Sequence, residues 1–467
     1  MDNNNHDFGL IGLGVMGRNF ILNVADNGFS ASGLDLDAEK VEALHDEGSG
    51  KQIFGTQKIE EFVASLKTPR VIMMLVPAGK PVDNVIEDLL PHVEKGDIII
   101  DGGNSHFDDT DRRFDYLKSN GINFLGIGVS GGAKGARLGP SMMPGGEKNI
   151  YDHISSIFEA VAAKVNGEPC VTYLGPKSAG NYVKMVHNGI EYALMQLIAE
   201  SYDFLKSSGL TNDELADVFT NWNNGRLASF LVEITAEIFQ KKDDLTDGHL
   251  VDAILDKAKQ KGTGKWTSQH AMNLGIPIPA IDMAVTMRGL SSQKENRMNA
   301  DLAYGRGISS TGLSKPEAIE LAESALYFSY ITSYAQGLVL LMAASEEKNY
   351  NLNPADISKI WRGGCIIRAG LLEKIRQAYA ENSSLKNLLL APNFVTEVQG
   401  TLSSTRKFIS TGVQHGIPLP AHAACLSYFD AFTSGRLPIN LVQAQRDHFG
   451  SHTYERVDRE GIFHTEW

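Results

Sequence analysis

Cysteine is scarce in this chain: Cys170, Cys365 and Cys425 are the only three in 467 residues, and they lie far apart. So sparse and odd a set supports neither a disulfide framework nor a paired zinc motif, and it suits reduced thiols in a cytoplasmic protein. Positive charge is also in deficit. A formal net charge of -13 argues against nucleic acid as a partner, because such binding rests on neutralising phosphates. The amino-terminal MDNNNHDFGL lacks the basic and apolar regions of a secretory signal. Apolar runs such as VIMMLV and GLVLLMAA are too short to span a bilayer, so no membrane is expected. Metal-ligand spacing is absent as well. FDDTD (Asp108, Asp109, Asp111) reads as acidic residues opening a helix before RRFDYL, where they complement the helix dipole. No metal is therefore expected.

What remains is an ordinary globular composition, long enough for two or three domains. Up to residue 177 short apolar runs (FGLIGLG, RVIMMLV, DIIIDGG, INFLGIGVSGG, CVTYLG) alternate with helix-like segments. That alternation predicts βαβ units and a mostly parallel sheet, an α/β domain of Rossmann type over residues 1–177. From 178 to 434 the pattern is helical and poor in strand signals, as in NYVKMVHNGIEYALMQLIAESYDFL, SFLVEITAEIFQ and ALYFSYITSYAQGLVLLMAASEE. A large all-helical domain is expected there. Residues 435–467 are polar but keep Phe449, Tyr454, Phe463 and Trp467, too many aromatics for a disordered tail. This tail is expected to dock on something.

GLGVMG places Gly12, Gly14 and Gly17 in G-x-G-x-x-G spacing between an apolar strand and a helix-like run. Gly12 permits the tight turn, Gly14 lets the backbone approach a pyrophosphate, and Gly17 allows close helix–strand packing. Asp35 falls where the second strand should end, in position to accept hydrogen bonds from a ribose. Asp37, just before AEKVEAL, reads as a helix N-cap.

In YVKMVHNGIEYALMQLI, Lys184, His187, Asn188 and Glu191 recur at helical spacing and share one face. A solvated stripe is the ordinary reading of such a set. Here the face continues into Met195, Ile198 and Tyr202, which should be buried, and an apolar seam (Val183, Val186, Ile190, Leu194, Leu197) runs beside it. A polar patch within a buried helix is better read as the lining of a cleft, where burial moves lysine and glutamate toward useful acid–base values. VSGGAKGAR (Ser130, Gly131, Gly132) could hold an anion on backbone N–H groups or form a simple turn. KGTGKWT fails the phosphate-loop pattern, since Lys259 and Trp266 stand where Gly and Ser or Thr are needed. A separate phosphate contact by Lys261 and Thr263 stays open.

These segments together resemble the 6-phosphogluconate dehydrogenases, the decarboxylating enzymes of the pentose phosphate route. The likeness runs from about Gly12 to Trp467 through IIDGGNS, VSGG, EPC, VKMVHNGIEY, QKGTGKWT, YAQG, WRGGCIIR, STGVQ and QAQRDHFGSHTYE. The resemblance implies a homodimer whose C-terminal tail reaches into the partner subunit. It implies Lys184 as general base and Glu191 as proton donor. It places Asn104, Ser130, Gly131, Gly132, His187 and Asn188 on the sugar acid, and Tyr192, Lys261, Thr263 and Arg288 at its phosphate. Arg446 and His452 resemble the contacts supplied by the other subunit's tail. The cofactor would lie on Gly12, Leu13, Gly14, Val15, Met16 and Gly17, on Asp35, Leu36 and Asp37, and on Val76, Pro77, Ala78 and Asn104. The better-known members carry Asn-Arg-Thr or a close variant where Asp35, Leu36 and Asp37 stand, and a lysine in place of Pro77. A carboxylate beside a 2′-phosphate repels it, so NAD is the expected cofactor in preference to NADP. Lys40 is the nearest basic side chain, and Arg18 lies in the glycine-rich helix. An NADP-using member of the same family is the alternative, with another basic side chain swinging in to take the 2′-phosphate, and two other readings stay in view. One is a β-hydroxyacid dehydrogenase acting on a small unphosphorylated acid, for which the KGTGKWT and QAQRDHFGSH segments would have no use. The other is a non-catalytic NAD-binding sensor, which intact Lys184 and Glu191 argue against.

Overall fold

The computed structural model describes residues 6–305, 307 and 309–467. The apolar runs FGLI, VIMM and IIID become β1 (Phe8–Ile11), β4 (Val71–Met74) and β5 (Ile98–Asp101), every residue of which is buried. Strands covered on both faces need such continuous apolar sequence. With β2 (Ala31–Leu34), β3 (Ile53–Thr56), β6 (Asn123–Ser130) and β7 (Ser141–Gly146) they form a seven-stranded sheet in the order β3-β2-β1-β4-β5-β6-β7. All pairs are parallel except β6 with β7. The order reverses between β1 and β4, the crevice where open α/β sheets bind ligands. This is the expected Rossmann-type unit.

One expected strand is not a strand. CVTYLG makes only isolated bridges, Val171 to Met142 and Gly175 to Gly145. It runs past β7, which takes the edge of the sheet instead. Gly175 has φ +149° and Pro176 follows it, so the extended run ends there.

The region that follows is mainly helical, and its organising element is the 29-residue helix Ala179–Ser207. That helix lies directly on β6 and β7 because glycines remove the side chains between them. A Cβ on Gly126 would strike the Asn181 amide, one on Gly128 would strike Cβ of Lys184, and one on Gly180 would strike the carbonyl oxygens of Met143 and Gly126. On its other side it packs against the 34-residue helix Lys315–Lys348, and both enter one large apolar core. Lys315–Lys348 is the one helix among the described residues long and apolar enough to cross a bilayer, although its individual apolar runs are short. Its most apolar 18-residue window is 89% buried in that core. All three thiols are free and buried. The tail forms a helix, Ile439–Gly450, and a short hairpin pairing Tyr454–Glu455 with Ile462–Phe463. Leu441, Phe449 and Trp467 stand exposed on it.

Gly180→Ala tests the close approach. The new methyl group must displace backbone rather than a flexible side chain, so a loss of about 1–3 kcal/mol or more is expected in denaturant unfolding. An unchanged midpoint would contradict the packing described.

Candidate active site

The site forms where the helix Ala179–Ser207 crosses the carboxyl end of β6. Lys184 keeps only 6% of its surface exposed, and His187 and Asn188 are buried with it. Burial lowers the Lys184 pKa from its ordinary value, while Glu191 and Cys365 push it back upward. Burial raises the Glu191 pKa, against the opposing pull of Lys184 and Arg288. Desolvation outweighs the opposing charges for both, because burial penalises the charged form of each group. His187 lies 3.4 Å (Nε2) from the Ser130 hydroxyl and 3.2 Å (Nδ1) from the Asn188 amide oxygen. Its pKa falls well below the ordinary value, through burial first and the neighbouring Lys184 second. Ser130, Lys184, His187, Asn188 and Glu191 are thus brought together, with the Gly131–Gly132 turn beside them. A further loop joins here: the Gly364 carbonyl oxygen sits against Gly131, where a Cβ would meet it at 2.5 Å.

Tyr192, one residue on, carries Arg288, whose guanidinium carbon is 3.3 Å from the ring centroid. Arg288 also donates to the Lys259 carbonyl oxygen at 3.2 Å. It lines a cleft of about 520 Å³ with Lys257 and Lys259, two cations the sequence reading did not single out. Thr263 is buried and Lys261 exposed at the start of the helix Thr263–Asn273. Met195, expected to be buried, is 43% exposed; it faces the Arg288 guanidinium, with Sδ 3.6 Å from Nη2, so the open part of the helix face runs one turn further than its pattern suggests and closes at buried Ile198. Arg446 and His452 sit apart on the exposed tail, where both make hydrogen bonds with Gln443.

The glycine-rich turn fits a dinucleotide. A Cβ on Gly12 would meet the Leu75 carbonyl oxygen at 2.7 Å, one on Gly17 would strike that of Gly12, and one on Gly14 would meet nothing within 4 Å. The backbone at Gly14 is therefore open to a ligand. The helix that follows, Val15–Asp26, has no side-chain cap and no acidic residue in its first turn, so its N–H groups are available to an anion. A cleft of about 710 Å³ runs from Gly12 past Asp35, Leu36, Gln57, Lys58 and Val76 to His92. Leu13, Val15 and Met16 complete the turn, Pro77 and Ala78 are exposed after β4, and Asn104 is exposed after β5.

Two loops at this end are tied by a residue that sequence reasoning missed. Arg113, 1% exposed, donates to Asp83 (2.8 Å), Asp101 (3.3 Å), Ser105 (3.2 Å) and the Gly79 carbonyl oxygen (2.9 Å). It fastens the turn containing Val76, Pro77 and Ala78 to the one containing Asn104. Only its distance along the chain from those loops hid it.

Asp35 is less free than expected. Its carboxylate accepts from the Leu13 N–H at 2.7 Å and the Asp37 N–H at 3.0 Å. Lys40 stands 3.4 Å from Asp35 and 3.5 Å from Asp37. Asp37 is the N-cap of the helix Ala38–Glu47, accepting from Glu39 N–H. Arg18 is engaged with Glu47 at 3.0 Å.

Comparison with known proteins agrees with this arrangement. The family described as the NAD binding domain of 6-phosphogluconate dehydrogenase matches residues 7–175, and the C-terminal domain of 6-phosphogluconate dehydrogenase matches residues 180–467. The chain is 53% identical over 461 residues to the NADP(+)-dependent, decarboxylating 6-phosphogluconate dehydrogenase of Bacillus subtilis, covering 98% of each. It is 51% identical to the decarboxylating 6-phosphogluconate dehydrogenase of Escherichia coli, again covering 98% of each. A solved Plasmodium falciparum 6-phosphogluconate dehydrogenase, described apo and in complex with its cofactor NADP+ and its substrate 6-phosphogluconate, superposes with a TM-score of 0.95. Identity there is 47%, with 99% of this chain and 100% of that one covered. These relatives overturn the expectation of NAD. The Bacillus subtilis enzyme is named for NADP+ and the Plasmodium falciparum structure is described with it. The physical reason is that the negative charge of Asp35 and Asp37 does not stand alone but is offset by Lys40. In the fold Asp35 is spent on backbone N–H groups, Asp37 caps a helix, and Lys40 stands between them.

Burial should keep the His187 ring neutral. In an NMR titration its resonances are expected not to move between about pH 5 and 8, the range where an exposed histidine titrates. A midpoint near the ordinary value would contradict the burial described.

Proposed function

The chain belongs to the family of decarboxylating 6-phosphogluconate dehydrogenases, and we propose that it oxidises 6-phospho-D-gluconate with NADP+, releasing CO2 and D-ribulose 5-phosphate. The observation that carries this reading is the buried lysine–glutamate pair on one helix face, Lys184 lowered and Glu191 raised by the same desolvation. When bound, the nicotinamide supplies the acceptor for the hydride leaving C3. Neutral Lys184 takes the proton of the 3-hydroxyl. The β-keto acid so formed loses CO2 as charge builds on its ketone oxygen, and Lys184, now an ammonium, stabilises that charge. Glu191 then delivers a proton to C1 of the enediol. His187, held neutral, and Asn188, Ser130 and the backbone of Gly131 and Gly132 orient the sugar acid and its carboxylate, with Asn104 from the cofactor side. Tyr192, Thr263, Lys261 and Arg288 take the phosphate, which carries nearly two charges and needs clustered cations.

For the cofactor, Lys40 is the cation assigned to the 2′-phosphate. Asp35 favours its charged form, and Asp35 itself keeps the glycine-rich turn closed through Leu13. In a homodimer, Arg446 and His452 of the tail would complete the partner's phosphate site. The exposed apolar side chains Ile439, Leu441 and Phe449 on the tail support such docking.

Lys184→Met is expected to lower kcat by about 10²–10⁴ with the fold intact by circular dichroism, the range for loss of a general base. In the wild type, kcat/KM should fall at acid pH as Lys184 takes up a proton, and at alkaline pH as Glu191 loses one. Near-normal turnover in the variant would remove the mechanism. Lys40→Ala should reduce kcat/KM for NADP+ by about 10-fold while leaving that for NAD+ little changed, as loss of a charge-assisted contact requires. Equal effects on the two cofactors would contradict the role given to Lys40.

A further inference from the structure

The tail holds one buried charge that the reaction does not use. Asp447 has no exposed surface, yet it lies between Arg446 and His448 in an otherwise exposed helix end. Four donors converge on its carboxylate. The Thr453 N–H (2.9 Å) and His464 Nδ1 (2.8 Å) meet Oδ1, and the Thr465 N–H (3.1 Å) and Trp467 Nε1 (3.0 Å) meet Oδ2. These donors come from both the turn after the helix and the end of the chain, so one side chain closes the tail on itself. Burial pushes the carboxyl up, but hydrogen bonds from several donors together outweigh it and hold the pKa at about 2, well below its ordinary value, so it stays ionised through the physiological range.

The turn it closes is strained. Ser451 and Thr453 both have left-handed backbone, φ +50° and +58°, and neither is glycine. Residues held this way persist only where surrounding contacts over-determine them, and they cluster at functional sites. Between them sits His452. The contacts that hold the turn are the Asp447 side-chain bond to the Thr453 N–H, bonds from Gln443 Nε2 to the carbonyl oxygens of Thr453 (2.6 Å) and His452 (3.5 Å), and the Ser451 N–H bond to the Asp447 carbonyl oxygen at 2.8 Å. Gln443 also accepts from Arg446 Nη1 at 3.1 Å. The two residues assigned to the phosphate are therefore braced from one helical turn, by Gln443 and Asp447.

We propose that Asp447 is a positioning residue for substrate binding: it fixes the strained 451–453 turn so that the tail presents Arg446 and His452 as a preformed phosphate clamp. The proposal rests on the reading that Arg446 and His452 serve the phosphate. It assigns Asp447 no contact with substrate. Its loss should leave the chemistry and the cofactor site alone and weaken only the capture of a phosphorylated substrate.

The test is Asp447→Asn in the full-length enzyme, an exchange that keeps shape and removes the charge. KM for 6-phosphogluconate is expected to rise about 10-fold or more, the scale of losing bonds to a charged acceptor, with kcat and the KM for NADP+ near the wild-type values. Trp467→Phe removes one donor of four and should give a smaller rise in the same parameter. An effect on thermal midpoint alone, with an unchanged substrate KM, overturns the inference. Arg446→Ala and His452→Ala distinguish the two failures. If they raise the substrate KM while Asp447→Asn does not, the positioning role falls and the phosphate reading stands. If all three leave it unchanged, the phosphate reading falls as well.

Discussion

The site depends on the desolvation of one lysine. Lys184 is buried because its helix lies against β6 with no side chain between, and that contact exists only because Gly126, Gly128 and Gly180 lack a Cβ. The same burial lowers Lys184, raises Glu191 and keeps His187 neutral. Three side chains on one helix face are thus pushed toward their neutral forms, the direction that the proposed proton abstraction, proton delivery and hydrogen bonding each need. The cost is carried by the fold. A helix holding Lys, His, Asn and Glu on a buried face gains no hydrophobic stabilisation there, and the large apolar core around Lys315–Lys348 offsets the loss.

Around this centre the chain supplies rigid support at two ends. At the cofactor end, buried Arg113 joins the loops after β4 and β5, and Asp35 ties the second strand to the glycine-rich turn. At the end proposed for the phosphate, Arg288 is pinned on Tyr192, which itself packs on Gly264, where any Cβ would meet the ring. Such second contacts set how well the first ones are preorganised.

Much of this was legible because it is local. The parallel strands announce themselves as continuous apolar runs, and the stripe of Lys184, His187, Asn188 and Glu191 is a matter of helical period. What escaped is non-local or weakly patterned. SMMPGG, which forms β7, holds a proline and two glycines, so its strand character comes from pairing with β6 rather than from propensity. CVTYLG has the β-branched and aromatic residues of a strand but finds only isolated bridges. Arg113 is thirty positions from Asp83, and no periodicity links them. The charge at Asp35 misled because a cation beside it, Lys40, offsets it, and the approach of the two to 3.4 Å is set by the turn in three dimensions.

The most direct measurement of the central claim is the protonation of Lys184 itself. With lysine side-chain nitrogens labelled, NMR across pH can follow the Nζ resonance of this residue, assigned by its absence in Lys184→Met. A midpoint clearly below that of the exposed lysines is the result this account predicts, moving toward theirs when Gly128→Ala loosens the helix from β6. A Lys184 that titrates with the exposed lysines would contradict it, because an ordinary ammonium could not serve as the base.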